Sequence, residues 1–376
     1  MKRLRVGIVG LGLIAQVMHL PSLRLLRDRY EVTALCDLSD RTLGFAAGFF
    51  PDARRTKDWH ELLDLDLDAV LVLTPGSHAP IAVEAAKRGL HVFAEKPMCF
   101  SVDEGREMIA AAEATGVVLM VAYTKRYDPA YERLAREVAA WPEPPRLVRV
   151  TTLEAPWEPY VAHLPRVKAD DVDPDVVAGL VADDEERVAA AIGTDDPVLR
   201  RAYRFWLLDS MVHEFNAVRG LLGEPTELRF SDVWGDALGV TMTLSFGEGT
   251  ECVFMWVDLP GLTRYELEIG LFAADRRAVL AFPSPYLRSA PTRLVLEGGE
   301  PRDIATWRTE HVASYEEAFE RELVEFHEAV VEGRQPRTTG ADGLRDIALC
   351  QAAIRSRLEG RGISDPTSLA ASGAAA

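Results

Sequence analysis

The feature that most constrains this chain stands near its start, where the apolar run Leu4 to Val9 passes directly into Gly10-Leu11-Gly12-Leu13-Ile14-Ala15. Gly10, Gly12 and Ala15 fit the G-x-G-x-x-G/A pattern, which carries weight here because a strand precedes it and a helix follows. Gly10 permits a tight turn, and Gly12 lets the backbone approach a pyrophosphate. Ala15 lets the helix pack close to the strand, with the N–H groups around Leu13 and Ile14 facing the phosphates. Asp37 stands at the end of the next strand, residues 32–36, where a carboxylate accepts hydrogen bonds from an adenosine ribose. That favours NAD; Ser39 and Arg41 lie close enough to keep NADP in play.

Short apolar runs at 69–73, 91–94 and 117–122 continue the series, with helical patterns at 81–88 and 102–114 between them. Ser101 reads as the N-cap of the latter, with Glu104 three residues on. Strands that are apolar throughout belong to parallel sheets covered on both faces. The expected fold class is therefore α/β, with a doubly wound Rossmann sheet over residues 1–124. At 376 residues the chain exceeds one ordinary core. A C-terminal α/β domain with a large, mainly antiparallel open sheet is expected over 125–363. It comprises a helix at 129–139, a strand at 147–154, a hairpin at 240–258 turning on Gly-Glu-Gly, strands at 265–271, 278–282 and 292–296, and helices at 314–332 and 343–358. The acidic stretch 160–202 reads as an insert, either a solvated helical excursion or a lid over the cleft. The Ala-rich tail 364–376 has little to bury and is expected to be mobile.

Composition excludes several roles. A formal net charge of −17 disfavours nucleic acid and anionic membrane partners. There is no uninterrupted run of about 18 apolar residues, so no membrane span is expected, and the glycine-broken segment Met1 to Val9 reads as a strand rather than a signal peptide. The four cysteines, Cys36, Cys99, Cys252 and Cys350, lie far apart without a C-x-x-C pair, which fits a reducing cytoplasm.

Chemistry concentrates at strand ends. The run Leu73-Thr74-Pro75-Gly76-Ser77-His78 follows one strand and Glu95-Lys96-Pro97 the next. Open α/β sheets bind ligands at such carboxyl ends, making Thr74, Pro75, His78, Glu95 and Lys96 cofactor-site candidates. Lys96 would face a nicotinamide and could donate to a substrate hydroxyl, stabilising a developing alkoxide; away from a strand end it would read as a surface ion-pair partner. Asp209 and His213, four apart on a helix, project from one face. His213 could take the hydroxyl proton while Asp209 orients substrate or imidazole, although a plain surface pair has the same spacing. No third ligand accompanies them, so no metal is expected.

Taken in order, GIVGLGLIAQ, Cys36-Asp37, LTPGSH, Glu95-Lys96-Pro97, VAYTKRYDP, the Asp209/His213 helix running to LLGEP, and ELVEFHEAVVEGRQP resemble the glucose-fructose oxidoreductase, inositol dehydrogenase and MocA (Gfo/Idh/MocA) family. The resemblance implies a nicotinamide-dependent oxidoreductase of sugar or cyclitol hydroxyls, with Lys96, Asp209 and His213 as its catalytic trio. It places Tyr123 and Arg126 near the substrate cleft and implies a homodimer or homotetramer formed through the C-terminal sheet. Two departures stand out. Tyr203-Arg204-Phe205-Trp206 replaces a glycine-rich run, with Met211 at a position usually small, and this predicts a bulkier pocket wall. Tyr123-Thr124-Lys125 lacks the common asparagine. Two other readings stay open: transient oxidation with recycled NAD, ending in elimination or glycosidic cleavage, and a non-catalytic NAD-binding sensor.

Overall fold

Strand β1 (Leu4–Val9) is buried along nearly its whole length, because helices cover both faces of the sheet it centres. With β2 (Tyr30–Cys36), β3 (Arg54–Thr56), β4 (Ala69–Val72), β5 (His91–Ala94) and β6 (Leu119–Val121) it forms a parallel sheet in the order β3-β2-β1-β4-β5-β6. The computed structural model describes residues 2–247, 249–300, 302 and 305–368. The order in which strands are added reverses between β1 and β4, which opens a crevice at their carboxyl ends. Register aligns Cys36, Val9, Val72 and Ala94 in one row, so Asp37, Gly10, Leu73 and Glu95 emerge side by side. The short edge strand β3 is too brief and too polar to show in the hydrophobic pattern.

The second sheet has nine strands: β7 (Leu147–Glu154), β8 (Pro225–Trp234), β9 (Gly239–Phe246), β10 (Thr250–Asp258), β11 (Glu266–Phe272), β12 (Arg276–Phe282), β13 (Arg293–Glu300), β14 (Ala305–Val312) and β15 (Ile363–Ser364). Every pairing is antiparallel except β7 with β10, the two central strands. Alternation governs them: Cys252, Phe254 and Trp256 of β10 point into the core, while Met255 points out. Strands β8 and β14 escape the sequence pattern, since β8 is bulged and β14 is exposed over nearly its whole length.

The helix Ala318–Glu332 returns to the first sheet, packing Leu323, Phe326 and Ala329 against Leu4, Ile8 and Phe93. The helix Gly340–Glu359 lies between the two sheets, and Leu344 fills the space left by Gly105. The tail corrects one expectation: Ile363–Ser364 pairs with β8, and Pro366 and Thr367 are buried. Its remainder, residues 369–376, lies outside the described residues. Among those described, no helix is long and apolar enough to cross a membrane.

Candidate active site

The turn after β1 is dictated by its neighbours. Gly10 sits at φ +92°, and a Cβ there would stand 2.5 Å from the Thr74 backbone nitrogen, so no other residue fits. A Cβ on Gly12 would meet nothing within 4 Å, which leaves open space over the start of the helical run 13–25. That space, bordered by helix N–H groups, is a cradle of the shape and polarity a pyrophosphate needs. Asp37 lies beside it; its Oδ2 accepts from Leu11 N at 2.7 Å and its Oδ1 from Ser39 N at 3.0 Å. Each oxygen keeps a lone pair for a ribose hydroxyl. The residues present fit a dinucleotide.

Three cofactor-site candidates act behind the crevice rather than in it. The buried imidazole of His78 lies 2.8 Å from the Thr74 carbonyl and 2.7 Å from that of Pro97, tying the β4 and β5 loops together. Burial holds its pKa below the ordinary histidine value. Glu95 is buried against His19, 2.7 Å from Nε2, and accepts from the Lys96 backbone N–H at 3.0 Å, which fixes the lysine's direction. Thr74 takes part through its carbonyl.

Lys96 reaches across the crevice to Asp209. Its Nζ donates to the Asp209 carboxylate at 2.6 Å and to the Asp209 carbonyl at 2.8 Å. That carbonyl accepts a side-chain bond in a π-helical run, Ala202–Met211, where the sequence pattern reads as an ordinary helix. Wide helical turns of this kind recur at functional sites. The α-helix resumes at Val212 and carries His213 on its first turn. Burial opposes the Lys96 charge, but Asp209 and Glu95 outweigh it and hold the pKa above lysine's ordinary value. His213 is the reverse case: burial, then the charges of Lys125 and Lys96, push its pKa well below 6.5. The site thus pairs a fixed ammonium with a neutral imidazole. Tyr123, fully buried, stands edge-on to that imidazole with ring centroids 6.1 Å apart.

Arg126 is turned elsewhere, its guanidinium donating at 3.2 Å to the Asn216 carbonyl and side chain. It joins a buried cluster with Arg219 and Asp342 that links the His213 helix to Gly340–Glu359. The expected bulk in the pocket wall also divides. Tyr203 is buried and donates to the Phe100 carbonyl at 2.6 Å, Phe205 is exposed, and Trp206 stacks on Trp256 of β10 at 4.3 Å. Trp206 thereby seats the π-helical run on the second sheet.

Sequence reading missed the groups that share this end of the cleft. Lys125 lies 3.8 Å from the buried Glu214, and Glu154, at the end of β7, accepts from Ser210 at 3.2 Å. Burial, then Glu214, pushes the Glu154 carboxyl up to about 6, while burial pulls Lys125 below its ordinary range. Tyr286 feels both Lys96 and Asp209, and its phenol is raised to about 12, chiefly by burial. A cavity lined by Thr124, Lys125, Asp128, Tyr265, Ser284 and Thr292 adjoins them. In the sequence Glu214 adjoins His213 and Lys125 lies between Tyr123 and Arg126, whereas Glu154 and Tyr286 carry no such signal. Among the described residues, no group of three or more His, Cys, Asp or Glu is placed to hold a metal ion.

A dinucleotide cradle opening onto a lysine, a carboxylate and a neutral histidine defines a nicotinamide-dependent oxidoreductase. Residues 4–123 match the oxidoreductase family with an NAD-binding Rossmann fold. It is 24% identical to the myo-inositol 2-dehydrogenase of Thermotoga maritima, the match covering 96% of this chain and 98% of the relative. It is 26% identical to the D-apiose dehydrogenase of Paraburkholderia graminis, over 96% and 89%. The structure of a levoglucosan dehydrogenase in complex with NADH and levoglucosan superposes with a TM-score of 0.72 at 18% identity, covering 97% of this chain and 100% of the other.

Proposed function

We propose that the protein moves a hydride reversibly between NAD(H) and a secondary hydroxyl of a sugar, sugar derivative or cyclitol. The observation that carries this reading is the Lys96 ammonium, bonded to both the carboxylate and the carbonyl of Asp209 beside an imidazole held neutral. When bound, the nicotinamide supplies the acceptor or donor of hydride. Lys96 donates to the reacting oxygen and stabilises its negative charge as the proton leaves. His213 accepts that proton on an imidazole nitrogen, which its depressed pKa leaves free at neutral pH. Asp209 aims the ammonium and orients the substrate; Glu95, bonded to the Lys96 backbone, holds the lysine at the strand end. The names of the inositol and apiose dehydrogenases support the substrate class, as do the hydrogen-bonding groups Lys125, Ser284 and Tyr265 around the adjoining cavity.

The test is reduction of NAD by a panel of sugars and cyclitols, with wild type and Lys96→Ala compared. Turnover should fall about 10³-fold in the variant, while NADH binding, followed by fluorescence, persists. Undiminished turnover would remove Lys96 from the mechanism. Two further readings belong with this proposal. Four buried free cysteines suit a reducing cytoplasm, and the outer face of the nine-stranded sheet, which exposes Leu147 and Met255, suits contact with a second copy.

A further inference from the structure

The insert between β7 and the π-helical run does more than project into solvent. Its first stretch, residues 166–171, runs from the glycine-rich turn to the end of β2. At one end Val167 exchanges two hydrogen bonds with the Gln16 side chain, 2.9 Å from its own N–H and 3.1 Å to its carbonyl. Gln16 stands one turn into the helix that follows Gly12, where it also donates to the Leu11 carbonyl at 2.8 Å. At the other end Asp171 spans two donors: one oxygen accepts from the Ser39 hydroxyl, the other from the Arg41 backbone N–H at 3.1 Å. Asp170 takes the Arg41 guanidinium. Beyond this stretch the helix Pro174–Ile192 stays on the same rim, with Arg187 donating to Glu104 at 2.6 Å and Asp184 pressed against Gly76.

The donors at the β2 end are an anion site in kind. A serine hydroxyl, a backbone N–H at a helix start and a guanidinium, set just past Asp37, are the groups that would hold a 2′-phosphate on the adenosine ribose. Ser39 is free to use its proton in this way, since its oxygen already caps the helix Asp40–Ala47 by accepting from Thr42 N at 3.2 Å. Here the chain's own carboxylates take all three donors. The nearby cation Lys57 is likewise engaged, by Asp40 at 2.9 Å. Asp171 remains ionised down to low pH, because the Ser39 hydroxyl stabilises its charged form.

We propose that Asp170 and Asp171 occupy the 2′-phosphate position of the dinucleotide site, so that the insert, a segment of the second domain, sets the preference for NAD over NADP. The assignment rests on the dinucleotide site and is independent of which alcohol is oxidised. A 2′-phosphate would have to displace two carboxylates and sit beside Asp37, whereas a ribose 2′-hydroxyl asks only for Asp37. Both aspartates are exposed, so part of the discrimination is electrostatic and weakens with salt.

The test is equilibrium binding of NADH and NADPH to the full chain, by fluorescence titration without substrate, for wild type and for Asp170→Asn/Asp171→Asn. Wild type should bind NADH at least tenfold more tightly. The double variant should gain about tenfold or more in NADPH affinity while NADH affinity moves less than about threefold, and the wild-type preference should narrow between 50 and 500 mM salt. A second variant, Arg41→Ala in the Asn/Asn background, should cancel the gain, which a merely loosened strap would not allow. NADPH affinity unmoved by the double variant, or rising in step with that for NADH, overturns the assignment. Binding of neither nucleotide by wild type overturns the dinucleotide site and the assignment with it. Circular dichroism matching wild type keeps a misfolded variant from counting as either.

Discussion

The two halves of this cleft are built by different means. On the first sheet the site is made of backbone: Gly10 at positive φ, the open space over Gly12, and strand ends held in register so that Asp37 and Lys96 emerge along one rim. On the second sheet it is made of side chains gathered from distant stretches, among them Lys125, Glu154, Glu214, Tyr265 and Tyr286. A backbone site needs particular residues at fixed local spacing and so writes a motif into the chain. A side-chain site needs only that something suitable arrive from somewhere. The same contrast fits a reaction whose cofactor stays constant while the alcohol varies.

The sharpest way to break this comparison is at the two glycines. In Gly10→Ala the added carbon collides with the Leu73 and Thr74 backbone at a φ that L-residues avoid. Strain and overpacking together should cost about 4 kcal/mol, seen in chemical denaturation, with NADH binding lost. In Gly12→Ala the carbon meets only open space, so stability should stay within about 0.5 kcal/mol of wild type while NADH affinity falls about tenfold or more. Equal loss of stability in both variants would refute a division between a glycine required by the fold and one required by the ligand.

A somewhat smaller effect probes how the second half is held. Arg219 is buried among Asp346 at 2.6 Å, Glu224 at 2.7 Å and Asp342 at 3.1 Å, and Asn216 donates to both aspartates at 2.7 Å. This cluster fastens the His213 helix to Gly340–Glu359. Arg219→Met leaves the buried Asp346 without its cation and should cost about 3 kcal/mol. Turnover should fall with it as His213 loses its seat, whereas NADH affinity, set on the other sheet, should not change.

What could be read in the sequence follows the same line. The parallel strands, the cap at Ser101, whose hydroxyl accepts from Glu104 N at 3.2 Å, and the helix Pro129–Ala139 are local in cause and were legible. The meeting of Lys96 with Asp209, 113 positions apart, became legible only through resemblance. Strand β14 stayed hidden because its side chains are exposed along nearly the whole strand, which leaves no alternation to read. The π-helical run stayed hidden because Asp209 and His213 keep the same spacing in either helix. Arg126, expected at the cleft, shows the limit of carrying a motif over: its neighbours place it, and Asn216 and Asp342 claim its guanidinium.

The smallest effect is a matter of pH. Glu154 ionises near 6 in the folded protein against 4.5 ordinarily, because burial and then Glu214 disfavour its charge. An unfolded chain gives up this proton first as pH rises, so between about 4.5 and 6 the folded state binds more protons and loses stability with increasing pH. That difference, to which the Ser210 hydrogen bond and the charge of Lys125 already contribute in the opposite sense, sets an upper bound of about 2 kcal/mol. Glu154→Gln keeps the shape and removes the titration. Thermal unfolding of the variant should therefore lose this component of its pH dependence and be more stable than wild type at pH 7, with no such gain at pH 4. A variant less stable at pH 7 would show instead that the ionised carboxylate is needed to balance Lys125, and that this half of the cleft is held together by charge rather than strained by it.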